Sequence, residues 1–428
     1  MREVTIIADD LTGAADCGIA FAALGVPTFV SLGGAPAPAS ARVVAVDTDS
    51  RPLAPNVAAD RARTATLQAF QEGTRTIYKK IDSTLRGNVG PEIAATYQAA
   101  VEAAQGKRLL VIAVPAFPGT GRTTRDGRVL VQGVPLEETE IWRNSGMTGP
   151  ADLVAMLRLA GLATFTARYE GVQLGPERLA RELAQVAAGG VEAVVCDAED
   201  ERDLEAIAEA GAILPMALVW AGSAGLARHL PRALGLLGAA AGPSMTPLPF
   251  QARATARSSG PLLFVVGSRS QVARAQVRQL GSDPGVETLA VSAEVLLEGE
   301  RSAGWAQVQR ALRGALEAGR DVVLVISEGG AVAGREREVA AAMGRLAASQ
   351  ASELGGLVAT GGDIARAVLS AIGASGVHLI GEVEPGVPIG VTEEPWPLLV
   401  ITKAGAFGTP STLQRCRAAL EDRRGREP

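Results

Sequence analysis

An aspartate pair, Asp9-Asp10, directly follows the apolar run Val4-Thr5-Ile6-Ile7 and opens into Leu11-Thr12-Gly13-Ala14-Ala15-Asp16. The run reads as a buried parallel strand. Two carboxylates therefore sit at its C-terminal end, the edge at which open α/β sheets bind ligands. Asp10 or Thr12 is placed to cap the helix that follows, and Gly13 permits close approach of a backbone or ligand. Carboxylates at such an edge suit a substrate hydroxyl, whose proton they accept or orient.

Cations follow on neighbouring segments. Tyr78–Asn88 (YKKIDSTLRGN) starts as a strand and ends as a polar turn holding Lys79, Lys80, Asp82, Ser83 and Arg86. Strand alternation turns Lys79 and Lys80 to opposite faces, so one of them is expected at a ligand. Asp47-Thr48-Asp49-Ser50-Arg51 adds a second arginine after another strand. Bidentate pairing with a ligand carboxylate fits Arg51 or Arg86. Cations suit a carboxylate or phosphate, and aspartate with hydroxyls suits a polyol. Pro115–Thr124 (PAFPGTGRTT) reads as a lid or substrate loop, and Trp220–Ala227 (WAGSAGLA) as a tight strand-to-helix turn.

The second half carries glycine-containing turns at four strand ends: Gly267-Ser268, Ser327-Glu328-Gly329-Gly330, Thr360-Gly361-Gly362-Asp363, and Lys403-Ala404-Gly405. In a parallel sheet these share one edge. Their backbone N–H groups, with Lys403 or a solvated Mg²⁺ offsetting charge, can cradle a polyphosphate. No GxxxxGK[ST] occurs, and no clean GxGxxG opens a helix with an acid ~20 residues on.

Composition narrows the field. The chain has 428 residues, 47% hydrophobic and 20% charged, with a formal net charge of -5. Aromatics are only 4%. Nucleic acid is not an expected partner, since neither a basic excess nor a stacking platform is present. Three dispersed cysteines and two isolated histidines make no metal site. No stretch approaches the ~18 apolar residues of a membrane span, and a cytoplasmic location is the expectation.

These residues need elements to hold them. Strands are expected at Val43–Asp47, Thr76–Ile81, Leu109–Val114, Ala193–Asp197 and Ala217–Ala221, then at Leu262–Val266, Val322–Ile326, Leu357–Ala359 and Leu398–Ile401. Helical patterns alternate with them, as at 61–70, 91–104, 176–188 and 224–237, and later at 271–280, 306–318 and 364–372. The expected fold is α/β: two doubly wound, mostly parallel-sheet domains with an interdomain cleft. The domains span 1–240 and 261–428, and the Pro/Gly/Ser/Ala-rich stretch 241–260 links them.

In order, ADDLTGAAD, DTDSR, KKIDSTLRGNVG, PAFPGTGRTT, WAGSAGLA, VVGSRS, ATGGDIA and TKAGAFG together closely resemble the four-carbon acid-sugar kinase family. The resemblance covers nearly the whole chain. It implies an N-terminal domain for the acid sugar and a C-terminal domain for ATP with Mg²⁺. It implies phosphorylation of the terminal hydroxyl of threonate, erythronate or a 3-oxo-tetronate. By motif match, Asp10, Arg51, Lys80, Asp82 and Ser83 line the acid-sugar site, and Ser268, Thr360, Gly361, Gly362, Asp363, Lys403 and Gly405 line the ATP site. Asp9, Lys79 and Arg86 join the first group as neighbours. Asp10 or Asp82 is the expected proton acceptor, with Asp9 supporting the turn. KKIDSTLRGN looks more like threonate and erythronate members. Thr139–Pro150 departs from the Asp-Pro-containing stretch that the resemblance leads one to expect there.

Two other readings stand beside it: a non-enzymatic two-domain sugar-acid-binding protein, and a sugar-acid dehydrogenase or aldolase. The missing dinucleotide motif and metal cluster weigh against the second, and the glycine-rich edge weighs against the first. Expected partners are a small acid sugar and ATP, with a homo-oligomer left open.

Overall fold

The computed structural model describes residues 2–237, 259–327, 334–393 and 397–424. The chain forms two compact units, Met1–Thr28 with Ala37–Met245, and Phe29–Pro36 with Thr246–Pro428.

The first unit contains β1 (Val4–Ala8), and β2 (Thr28–Leu32) begins at its boundary. It continues with β3 (Val43–Asp47), β4 (Thr76–Lys80) and β5 (Leu109–Val114), then a hairpin region of β6 (Arg122–Arg125), β7 (Arg128–Val131) and β8 (Val134–Pro135). It ends with β9 (Thr164–Ala167), β10 (Ala193–Cys196) and β11 (Ala217–Gly222). Its main sheet runs β3-β1-β4-β11-β5-β10-β9, every pairing parallel. β1 is buried at all five positions, as an unbroken apolar run in a two-sided parallel sheet requires. The register sets Ala8 opposite Asp47 and Ile7 opposite Lys79, and Gly222 opposite Lys80. The turns after β1, β3 and β4 therefore leave the sheet at one edge.

Helices α1 (Leu11–Ala22), α2 (Pro55–Gln71) and α3 (Val89–Ala103) follow those three turns. Asp10 caps α1, accepting from the Gly13 N–H at 3.0 Å. Pro55 opens α2, where its missing N–H costs nothing. β6, β7 and β8 form a separate antiparallel sheet. Buried Asp197 pins its turn, accepting from the N–H groups of Asp126 (2.8 Å) and Gly127 (2.9 Å). Thr139–Pro150 supports this region by packing. Its Trp142 is buried with Leu136 and Leu153 in the unit's apolar core, and the indole N–H donates to the Gly149 carbonyl at 3.2 Å.

The second unit contains β12 (Leu262–Val266), β13 (Val286–Val291), β14 (Asp321–Ile326), β15 (Gly356–Thr360), β16 (Gly376–Glu382), β17 (Pro388–Thr392) and β18 (Leu399–Lys403). The order β13-β14-β12-β15-β18 is parallel; β17 and β16 then follow antiparallel, and β2 lies beside β16. The Leu32 N–H donates to the Ser375 carbonyl at 3.0 Å. A Cβ on Gly376 would lie 2.2 Å from Phe29 Cζ, so only glycine admits that ring. Leu262, Phe264, Val358 and Ile401 anchor the core.

The mostly parallel α/β fold expected from sequence is present in both units. Helix 224–237 is instead two short helices, Ala224–Ala227 and Leu230–Ala233; Pro231 lacks the N–H that a continuous helix needs. Residues 241–258 of the expected linker, and Glu328-Gly329-Gly330, lie outside the described residues.

Candidate functional site

The first unit gathers Asp9, Asp10, Arg51, Lys80, Asp82, Ser83 and Arg86 at the C-terminal edge of β1, β3 and β4. Arg51 joins the two aspartates. Its Nε and Nη2 donate to Asp9 Oδ2 and Oδ1 at 2.7 and 2.8 Å, and its Nη1 and Nη2 to Asp10 Oδ2 and Oδ1 at 2.9 and 2.8 Å. Asp9 is buried, and burial would raise its carboxyl; the Arg51 guanidinium outweighs that and holds it below the usual carboxylate range. Asp10 is more open, with 18% of its side chain exposed against 5% for Asp9. It also accepts from the Thr12 hydroxyl at 2.5 Å.

Two glycines allow this closeness. A Cβ on Gly13 would lie 2.5 Å from Asp10 Oδ1 and 3.2 Å from Lys80 Nζ. One on Gly87, at φ 89°, would lie 2.8 Å from Asp9 Oδ2.

Asp82 is buried and tied to Arg86, whose Nε and Nη2 donate to its two oxygens at 2.7 and 2.8 Å. The Thr84 hydroxyl donates to it as well. Burial would raise the Asp82 carboxyl, but hydrogen bonding and charge from Arg86, with Arg51 and Lys80 adding to it, hold it well below the usual range. Such a carboxylate is a poor proton acceptor near neutrality. Ser83 is half-buried beside it.

The two lysines diverge, as alternation requires. Lys80 is buried, and its Nζ donates to the Ile81 carbonyl at 2.9 Å. Burial would lower its ammonium, yet Asp82, Asp10 and Asp16 raise it above the ordinary value. Lys79 corrects an expectation. Its Nζ pairs with buried Glu92 at 2.7 Å and donates to the carbonyls of Ile7 and Lys80 at 3.2 and 3.0 Å. All three of its donors are satisfied within the protein, leaving none for a ligand.

Sequence reasoning left Arg122 out of the site. It starts β6, where it exchanges backbone hydrogen bonds with Phe117. Its guanidinium is close enough to Asp82 and Arg86 to feel both charges. The signal was the arginine inside PAFPGTGRTT. Glu201 holds the same loop, accepting from the Gly119 N–H at 3.2 Å and facing His229 Nε2 at 2.9 Å.

In the second unit, β12, β15 and β18 end side by side. Thr360 is fully buried, and its hydroxyl has no partner among the described residues. Gly361 follows at φ 98° with open space where a Cβ would stand, and its N–H donates to the Lys403 carbonyl at 2.8 Å. Gly362 and exposed Asp363 lie in the first turn of the helix Gly362–Ala371. Ser268 sits against Gly405, where a Cβ would lie 2.4 Å from Ser268 Oγ. Lys403 is buried and donates to the Ala404 carbonyl at 2.9 Å. No described carboxylate lies within ion-pair distance of it, and burial pulls its ammonium down to about 8. An orphaned hydroxyl, an uncompensated buried ammonium and a helix N-terminus fit an anionic phosphate.

All three cysteines are buried, and burial pushes their thiols up, so none is a nucleophile. Among the described residues no group of three or more His, Cys, Asp or Glu could hold a metal, and no helix is long and apolar enough to cross a membrane.

Residues 4–230 match the sugar-binding N-terminal domain model, and residues 263–413 match the nucleotide-binding C-terminal domain model. A D-threonate kinase of Cupriavidus necator is 42% identical over 98% of both chains. A D-threonate kinase of Bordetella bronchiseptica is 36% identical, again over 98% of each. A crystal structure from Salmonella typhimurium LT2 shares the fold at a TM-score of 0.80, with 23% identity, covering 98% of this chain and 100% of that one.

Proposed function

The chain belongs to the four-carbon acid-sugar kinase family and is an acid-sugar kinase, and from that premise we propose that it phosphorylates the terminal hydroxyl of D-threonate with MgATP. The observation that carries the reading is the charge cluster at one sheet edge, in which Asp9, Lys80 and Asp82 are buried and Asp10 and Arg51 half-buried. It offers a carboxylate for a hydroxyl, with Arg51 and Lys80 offsetting the negative charge around it. The names of the two relatives above support threonate among the possible acids.

Phosphoryl transfer through a loose transition state needs positioning and charge stabilisation more than a strong base. ATP supplies the phosphoryl group; the hydroxyl oxygen bonds to the γ-phosphorus as the bridging P–O bond breaks. Asp10, the more open carboxylate, receives or orients the hydroxyl proton, while both oxygens of Asp82 are closed on Arg86. Arg51 fixes Asp10's orientation rather than gripping the substrate, since four of its donor contacts already go to Asp9 and Asp10. Lys80 offsets negative charge beside them. In the second unit, Thr360, the N–H group of Gly362, Ser268, Gly405 and Lys403 hold the phosphates, with Asp363 beside them. Mg²⁺ would enter with the nucleotide and offset phosphate charge there.

The test is a coupled ADP-release assay over D-threonate, L-threonate, D-erythronate and 3-oxo-tetronate, each with MgATP. D-threonate is expected to give the highest kcat/KM, with phosphate on O4 of the product. A preference for another acid would reassign the substrate; no ADP release with any of them would overturn the reading.

A further inference from the structure

The charges of the first unit can be matched donor by donor. Arg51 is closed on Asp9 and Asp10, Arg86 on Asp82, and Lys79 on Glu92. Lys80 donates to the Ile81 carbonyl at 2.9 Å, and Asp82, Asp10 and Asp16 hold its ammonium above the ordinary value.

Arg122 is different. Its Nη1 donates to the Thr120 carbonyl, while its Nε is buried with no partner among the described residues. Of Arg51, Arg86 and Arg122, it is the one with no carboxylate among the described residues within ion-pair distance. Burial pulls its guanidinium down, Asp82 opposes that, and Arg86 adds repulsion. A half-buried cation with an unsatisfied donor is costly, and a bound anion relieves that cost.

Its backbone is fixed. The Phe117 N–H donates to the Arg122 carbonyl at 2.8 Å, and the Arg122 N–H donates to the Phe117 carbonyl at 3.1 Å. Next to it, the Gln132 N–H donates to the Gly121 carbonyl at 2.7 Å. A guanidinium on a rigid hairpin suits planar recognition of a carboxylate.

We propose that Arg122 binds the substrate's carboxylate and so selects acid sugars over neutral polyols. The inference rests on the acid-sugar kinase reading and deepens it. The carboxylate is then recognised from the hairpin, while the hydroxyl is managed by Asp10 at the end of β1.

The experiment compares D-threonate with threitol, the four-carbon polyol lacking the carboxylate, in wild-type, Arg122→Gln and Arg122→Lys enzymes. In Arg122→Gln, KM for D-threonate is expected to rise about 10- to 100-fold, the range of a lost charge-assisted hydrogen bond. The kcat/KM for threitol and the KM for ATP should change less than about threefold on the same grounds. Arg122→Lys should recover part of the loss, because it keeps the charge without the fork. Unchanged discrimination in Arg122→Gln, or equal loss on both substrates, would overturn the proposal.

Binding gives a second readout independent of turnover. D-threonate alone should raise the Tm of wild type and not that of Arg122→Gln. A wild-type enzyme that turned over no acid would defeat the functional reading, and the Tm shift would still decide Arg122. If Arg122→Gln fails to fold, Arg122→Lys decides: a D-threonate KM equal to wild type overturns the proposal, and a raised KM with threitol unaffected supports it.

Discussion

Arg51 grips Asp9 through two parallel hydrogen bonds, Nε to Oδ2 at 2.7 Å and Nη2 to Oδ1 at 2.8 Å. The same guanidinium reaches Asp10, so one cation keeps two adjacent carboxylates from repelling each other. Arg51→Met should leave them uncompensated and destabilise the protein by about 3 kcal/mol, the scale for breaking a buried pair. The sign with pH follows from Asp9. Its folded pKa is lowered, so its contribution is complete above the unfolded value of about 3.9 and is lost as pH falls through the folded one. Urea midpoints between pH 3 and 7 should show a shallower acid dependence in Arg51→Met. An unchanged midpoint at pH 7 would refute the clamp.

Asp10 and Asp82 separate under mutation. Asp10→Asn should lower kcat about 100-fold or more while leaving the ATP Kd within about twofold. Asp82→Asn should act mainly through folding and KM, because it leaves Arg86 without its partner. Wild-type turnover in Asp10→Asn would remove that residue from the proton-handling role.

Lys403 links nucleotide binding to pH. Its ammonium is lowered to about 8, so the cost of burying the charge is complete below that value. That cost disappears as pH rises toward the ordinary lysine value of about 10.4, and apo stability should rise over this interval. Phosphate oxygens favour the charged form, so ATP affinity should weaken above pH 8 and binding should take up a proton. Calorimetry in buffers of different ionisation enthalpy measures both. Lys403→Met should abolish the proton uptake; uptake persisting there would assign it elsewhere.

Thr360 predicts opposite signs for stability and binding. Its hydroxyl is buried without a partner, so Thr360→Val should leave apo stability unchanged or raise it by about 1 kcal/mol. ATP affinity should fall about tenfold as one hydrogen bond to phosphate is lost. Loss of stability with unchanged affinity would show the hydroxyl to be structural.

Gly87 is the steric counterpart. At φ 89°, with a Cβ 2.8 Å from Asp9 Oδ2 and 3.3 Å from Arg51 Cγ, alanine strains the backbone and displaces the clamp. Gly87→Ala should cost about 1–3 kcal/mol and raise the acid KM. A normal melting curve with normal KM would rule out that crowding.

Most of the parallel strands were legible because two-sided burial writes unbroken apolar runs, as in Leu109–Val114 and Leu262–Val266, whereas the edge strands β9 and β13 are only partly buried and carry Thr164, Thr166, Glu287 and Thr288. Strands β16 and β17 were not, since Gly381, Gly390 and Pro388 interrupt them and their pairing is antiparallel. β2 lacked a signal because what it packs on, Ser375 to His378, lies far along the chain. Residue types and sheet-edge placement exposed the aspartates and cations. Who pairs with whom was not legible: Lys79 and Lys80 are adjacent and chemically identical, and only Glu92 on α3 distinguishes them. Arg122 stayed hidden because an unsatisfied donor is a property of its surroundings.

The chain passes between the two units three times, after Thr28, after Pro36 and after Met245. A single cut therefore cannot yield two self-sufficient halves. A fragment beginning at Thr246 would lack β2 and leave the edge of β16 unpaired, a template for aggregation. Co-expressed fragments 1–245 and 246–428 would instead have a strand to donate and an edge to receive it. A fragment meant to carry the second unit therefore has to include Phe29–Pro36.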